Sequence, residues 1–233
     1  MKTRLELAAV TKRFGRLQVL TQVWLQVRAG ESVGLVGANG AGKTTMLRVA
    51  AGLVLPDAGS VKWADPAPAI RYFGGEMTLP PGVRARRWAS LFDVDSNDGR
   101  RIGTLSRGSR QLFGLRIVLA GGDADVIILD EPWEGLDPVG SAWLTDTLRR
   151  WREAGAALLI SSHRLHDLDS VCTRFVLLEG GRCHGIADRE HRPRVEQMPA
   201  EQSGRRRGIK IIESGCDHGN LREAPSSADL LPA

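Results

Sequence analysis

The stretch GANGAGKTT, from Gly37 to Thr45, constrains this chain more than any other. It follows a short apolar run, GESVGLVG, that reads as a buried strand. It opens KTTMLRVAAGL, in which Met46, Leu47, Val49, Ala50 and Leu53 fall close to helical spacing and Gly52 stands near the end. The order is strand, glycine loop, helix. Gly37, Gly42, Lys43 and Thr44 match the pattern G-x-x-x-x-G-K-[ST]. In such a loop the glycines let consecutive backbone N–H groups turn inward on phosphate oxygens, and the following helix presents its positive end. Gly37, Ala38, Asn39, Gly40, Ala41, Gly42, Lys43, Thr44 and Thr45 are therefore the candidate phosphate cradle. Lys43 reaches for the β- and γ-phosphates, and the Thr44 hydroxyl is a candidate Mg²⁺ ligand.

The remaining chain alternates strands and helices. Leu5, Leu7 and Val10 begin one strand, and Val23, Leu25 and Val27 alternate with polar neighbours in another, both with one wet face. Turns and short strands occupy 54–70, and IRYF (70–73) reads as a strand. RARRWASLF (84–92) reads as a short basic helix and SNDGRRIG (96–103) as a turn. A helix over 106–121 carries an apolar stripe at Leu112, Leu115 and Leu119. VIILD (126–130) has the continuous apolar character of a central parallel strand. A helix over about 139–153, a strand at 156–161, a helix at 164–171 and a strand at 174–180 follow, and VLLEGGRCHGI closes with a hairpin. The pattern predicts an α/β fold with a mostly parallel sheet and helices on both faces. After about residue 190 the chain turns polar, and 191–233 reads as a weakly ordered tail.

A strand-end carboxylate should complete a metal site, and VIILDE supplies it. Asp130 is the candidate Mg²⁺ partner, acting through water. Glu131 is the candidate general base for an attacking water. On an extended chain these neighbours point to opposite sides and need not compete for one position. His163 follows the strand LLISS, at an edge where parallel strand ends converge. It reads either as a γ-phosphate contact or as a cap or surface residue.

Composition narrows the setting. The chain has 233 residues, 42% hydrophobic and 25% charged, as globular domains have. It contains no apolar run of about 18 residues and no secretory signal at its start. Cys172, Cys183 and Cys216 match no metal or disulfide spacing and read as free thiols of a reducing compartment. The net charge of +5 is concentrated: residues 71–116 hold nine Arg against Glu76, Asp93, Asp95 and Asp98, and 9 − 4 = +5.

These residues resemble one family, the ATP-binding-cassette ATPase of ABC transporters. Five motifs stand in that family's order: GANGAGKT (37–44), LSRGSRQ (105–111), VIILDE (126–131), EGLDP (134–138) and SSH (161–163). The resemblance covers about residues 3–185. It implies a P-loop NTPase over 1–190, with an N-terminal antiparallel β subdomain and a reduced helical subdomain at about 77–115. It implies ATP and Mg²⁺ as cofactors and His163 at the γ-phosphate. Phe14, in TKRFG, would stack on adenine. Ser106 and Gly108 would cover the triphosphate held by a second ATPase subunit, head to tail, and Asp137 would help couple the two sites.

Three features depart from the family. The signature reads Leu105-Ser106-Arg107-Gly108-Ser109 in place of LSGGQ, and is similar in style to ABC-2 exporters and to the haem-export ATPase of cytochrome c maturation. The usual metal-sensing glutamine is missing; Glu76 takes its place as a metal ligand, or Gly75 if the alignment slips by one. The helical subdomain is short and arginine-rich, suited to an acidic coupling helix or anionic lipid. The resemblance thus implies an exporter's ATPase subunit with a separate transmembrane permease, in the cytoplasm on the inner face of the cell membrane. No specific nucleic acid is expected. The alternatives are a soluble ABC ATPase acting on nucleic acid or ribosomes, and a regulatory cassette that turns over little ATP.

Overall fold

The alternating residues of the first turns of chain form two long strands, β1 (Thr3–Phe14) and β2 (Leu17–Arg28), paired antiparallel. A computed structural model describes residues 2–64, 66, 68–75, 80–92 and 99–186. Alternation in β1 slips after Leu7 because Ala9 turns to φ 51, and the inward face resumes at Val10. This is the signature of an extra residue in a bulged strand.

β3 (Ser32–Val36) leaves this sheet and enters a second one, while β4 (Ala58–Trp63) returns to the free side of β1. The second sheet adds β5 (Ile70–Phe73), β6 (Val126–Leu129), β7 (Ala157–Ser161), β8 (Arg174–Glu179) and β9 (Arg182–Ile186). Its order is β5-β6-β7-β3-β8-β9, parallel except for β9. The Thr21 amide donates to the Gly181 carbonyl at 2.8 Å and joins the two sheets. β3, β6 and β7 are buried along their whole length, which explains their unbroken apolar runs.

Three cores result. The first lies between the sheets and takes Met46, Leu47, Val49 and Ala50 of α1 (Lys43–Ala50). The second lies on the opposite face of the central sheet, under α4 (Pro138–Glu153) and α5 (Leu165–Asp169). Burial there pushes the Cys172 thiol up to about 12, so it is not a nucleophile at neutral pH. The third is small: Ala85 and Ala89 of α2 (Ala85–Ala89), Ile102 of a 3₁₀ turn, Leu105, and Phe113 and Ile117 of α3 (Arg107–Val118).

Helix α3 serves two of these cores, which corrects the single stripe expected from sequence. Leu115 and Leu119 enter the second core, Phe113 and Ile117 the third, and Leu112 is only half-buried. Arg71 on β5 closes the far end of α3. Its guanidinium donates to the carbonyls of Val118 at 2.8 Å, of Gly122 at 2.9 Å and of Ala120, and lies 5.2 Å from the Trp151 ring centroid. Glu76, residues 96–98 of the expected turn, the 191–233 tail and Cys216 lie outside the described residues. Among the described residues no helix is long and apolar enough to cross a membrane.

Candidate active site

β3 delivers the glycine loop to the edge of the central sheet, as expected. Gly42, at φ 101, caps the start of α1, and a Cβ there would stand 2.9 Å from Val19 Cγ1. Only glycine meets both conditions. A glycine cap has no side chain to satisfy the first-turn amides of α1, so Lys43, Thr44 and Thr45 present orphan donors at the helix's positive end. This is the chemistry of an anion cradle. The Lys43 ammonium, nearly buried, donates to the carbonyls of Gly37 at 2.9 Å and Ala38 at 3.3 Å.

β6 and β7 bring the other half of the site to the same edge. The Thr44 hydroxyl donates to Asp130 Oδ2 at 2.6 Å, which leaves its lone pairs free to face a cation. A hydroxyl and a carboxylate are hard oxygen donors, and so few of them suit Mg²⁺, which takes its remaining ligands from phosphate and water. Thr44 and Asp130 thus fit the metal that the sequence implies. Gly75, in the loop after β5, has its Cβ direction 3.5 Å from the Asp130 carbonyl, so this loop passes beside the same carboxylate residue.

Glu131 departs from expectation. The extended chain predicted across Asp130 and Glu131 is not present, because β6 ends at Leu129 and Glu131 has φ 46. A left-handed turn, not strand alternation, separates the two carboxylates. A non-glycine residue held there signals a backbone over-determined by its surroundings. Glu131 Oε2 accepts from the His163 amide at 3.0 Å and lies 2.8 Å from His163 Nδ1, while Oε1 is 3.6 Å from Lys43 Nζ. Lys43, Thr44, Asp130, Glu131 and His163 therefore form one cluster. His163 is half exposed and bound to Glu131.

Sequence reasoning missed two members. Ser161, fully buried, donates to Asp130 Oδ1 at 2.6 Å and accepts from the Glu131 amide at 3.0 Å. Gln111 on α3 sends Nε2 to the carbonyls of Glu131 and Pro132, each at 3.4 Å. Both stand inside motifs read from the sequence, Gln111 at the end of LSRGSRQ and Ser161 at the start of SSH, but their bonds join segments far apart in the chain.

The remaining candidates lie apart from this cluster. Ser106 caps α3, its Oγ accepting from the Ser109 amide at 3.1 Å and donating to Ser109 Oγ at 2.8 Å. Gly108 faces its own chain: a Cβ there would clash with the Gly135 carbonyl. Asp137 caps α4 by accepting from the Gly140 amide at 2.7 Å. Arg107, the residue replacing a glycine of the signature, pairs with Glu134 of EGLDP at 2.9 Å on the surface. Phe14 is half exposed at the end of β1, not part of a core, with the Lys12 ammonium 5.4 Å from its ring. Asp57 holds that turn through Lys12 at 3.0 Å and the Arg13 amide at 2.6 Å, and these bonds keep its carboxyl below the ordinary range.

Fold and cluster together define a nucleotide-binding cassette. The family model described as ABC transporter matches residues 20–134. An uncharacterized ABC transporter ATP-binding protein of Methanocaldococcus jannaschii is 30% identical over 201 residues, 78% of this chain and 76% of that protein. The hemin import ATP-binding protein HmuV of Pseudomonas putida is 32% identical over 212 residues, 76% of this chain and 83% of that one. The Nod factor export ATP-binding protein I of Cupriavidus pinatubonensis is 29% identical over 209 residues, 76% of this chain and 64% of that one. Among solved structures, a dimeric ATP-binding cassette in a post-hydrolysis state, bound to ADP and Pi, superposes with a TM-score of 0.66 at 21% identity, over 77% of this chain and 96% of that one. The chain belongs to the ABC transporter family, as an ATP-binding subunit.

Proposed function

We propose that this chain, through residues 1–190, binds ATP with Mg²⁺, closes head to tail on a second ATPase subunit, and hydrolyses the nucleotide to drive a separate transmembrane permease. The observation that carries this reading is the placement of Glu131 between Lys43 and His163, beside the Thr44–Asp130 pair.

The orphan amides of α1 and the Lys43 ammonium take the β- and γ-phosphates. A triphosphate competes with Glu131 for that ammonium and so frees the carboxylate. Thr44 and Asp130, with Glu76 as a further ligand, would hold Mg²⁺, which would supply neutralisation of triphosphate charge. Glu131 then takes a proton from water as its oxygen attacks the γ-phosphorus, and ADP leaves. His163 orients the base and donates to the departing phosphate. Phe14 supplies an exposed face for adenine. Ser106 and Gly108 belong to the surface offered to the partner's triphosphate, with Asp137 behind them.

Export is the direction favoured by the LSRGSRQ signature, and the cytoplasmic face of the cell membrane is the site of action. Exposed Arg86 and Arg87 on α2 supply a basic contact for the permease. Phosphate release by wild type and by Glu131→Gln, each with its membrane partner, tests the reading. Wild type is expected to hydrolyse ATP while the variant binds it and does not. Equal silence of both removes Glu131 as the base.

A further inference from the structure

We infer that Ser161 is a positioning residue for hydrolysis, whose one hydroxyl sets the metal-side carboxylate and the general base together. The inference rests on the ATPase reading above and adds a residue to it.

A serine hydroxyl has one proton and two lone pairs. Here the proton goes to Asp130 Oδ1 at 2.6 Å, and a lone pair accepts the Glu131 amide at 3.0 Å. The other oxygen of Asp130 takes the Thr44 hydroxyl at 2.6 Å. A continuous chain of bonds thus runs from the first turn of α1, through Asp130 and Ser161, to the backbone of the base. That backbone needs the support. The last ladder bond of this strand end is the Asp130 amide to the Phe73 carbonyl at 2.8 Å, and Glu131 then turns to φ 46 with no strand partner for its own amide. Ser161 supplies that acceptor from β7, and the turn aims the Glu131 carboxylate back at His163.

The arrangement is more than burial of a small polar residue. An apolar replacement would leave one Asp130 oxygen and the Glu131 amide unsatisfied in the same step, so metal binding and base placement should fail together. Partners that orient a metal ligand typically carry a tenfold to hundredfold effect on metal affinity or activity.

The test uses the full chain with its membrane partner and three variants: Ser161→Ala, Ser161→Cys, which keeps the volume but donates weakly, and Ser161→Thr, which keeps the hydroxyl. ATP affinity is measured in EDTA and in Mg²⁺, beside phosphate release and urea unfolding. The alanine and cysteine variants are expected to bind Mg²⁺-free ATP as wild type does. They are expected to lose about tenfold or more of the affinity gained from Mg²⁺, with kcat falling by a similar factor. Threonine should recover both. If alanine fails to fold, cysteine decides. A folded alanine or cysteine variant with the wild-type Mg²⁺ gain and kcat overturns the inference. So does an equal loss of affinity with and without Mg²⁺, which marks a merely structural serine. A wild-type protein that binds no ATP overturns the ATPase reading itself, a result distinct from either.

Discussion

Around Asp130, side chains from three separate elements are bonded to one another, whereas Ser106 and Asp137 each cap the helix that they begin. The first region gathers α1, β6 and β7 at one sheet edge, with Lys43, Asp130 and Ser161 buried. The second shows Ser106 capping α3, Asp137 capping α4 and an exposed Arg107–Glu134 pair between them. One region joins side chains from three elements; the other joins side chains to the helices they start. On the function proposed above, the first would perform the chemistry and the second would be presented to a partner subunit.

Substitutions can break that contrast, and the widest separation comes at the base. Glu131→Gln should lower kcat by about a hundredfold to ten-thousandfold while ATP binding survives, as phosphate release and equilibrium binding would show. Gly108→Ala acts on the presenting surface through its foundation. The added Cβ meets the Gly135 carbonyl, so α3 must shift, and urea unfolding should report a loss of about 1–3 kcal/mol. Asp137→Ala removes a helix cap worth about 1 kcal/mol, and Asp137→Asn should restore that stability. If asparagine restores stability but not turnover, Asp137 has a duty beyond capping. Arg107→Ala gives the smallest effect on folding, below about 1 kcal/mol, because the pair is exposed. A larger change in ATP-driven dimerisation than in stability would place Arg107 in the contact between subunits.

Legibility from sequence followed the same divide. The glycine loop and the VIILD strand declare themselves because buried parallel strands read as unbroken apolar runs. Glu131 was placed correctly at the strand end but with the wrong backbone, since the strand ends two residues before it and nothing in the residue type signals φ 46. Ser161 stands in the SSH motif, yet its bonds to Asp130 and the Glu131 amide cross 31 and 30 residues of chain, and no local pattern encodes them. Helix α3 misled because a single stripe is the rule for a helix with one buried face, and this helix lies between two cores.

Arg71 gives α3 an unequal mechanical character. One end is pinned by a guanidinium gripping three carbonyls; the other ends in the exposed Ser106. A rod of twelve residues is about 18 Å long. Rotation by about 10° about the pinned end would carry the serine tip about 3 Å, the span of one hydrogen bond, while the sheet beneath stays still.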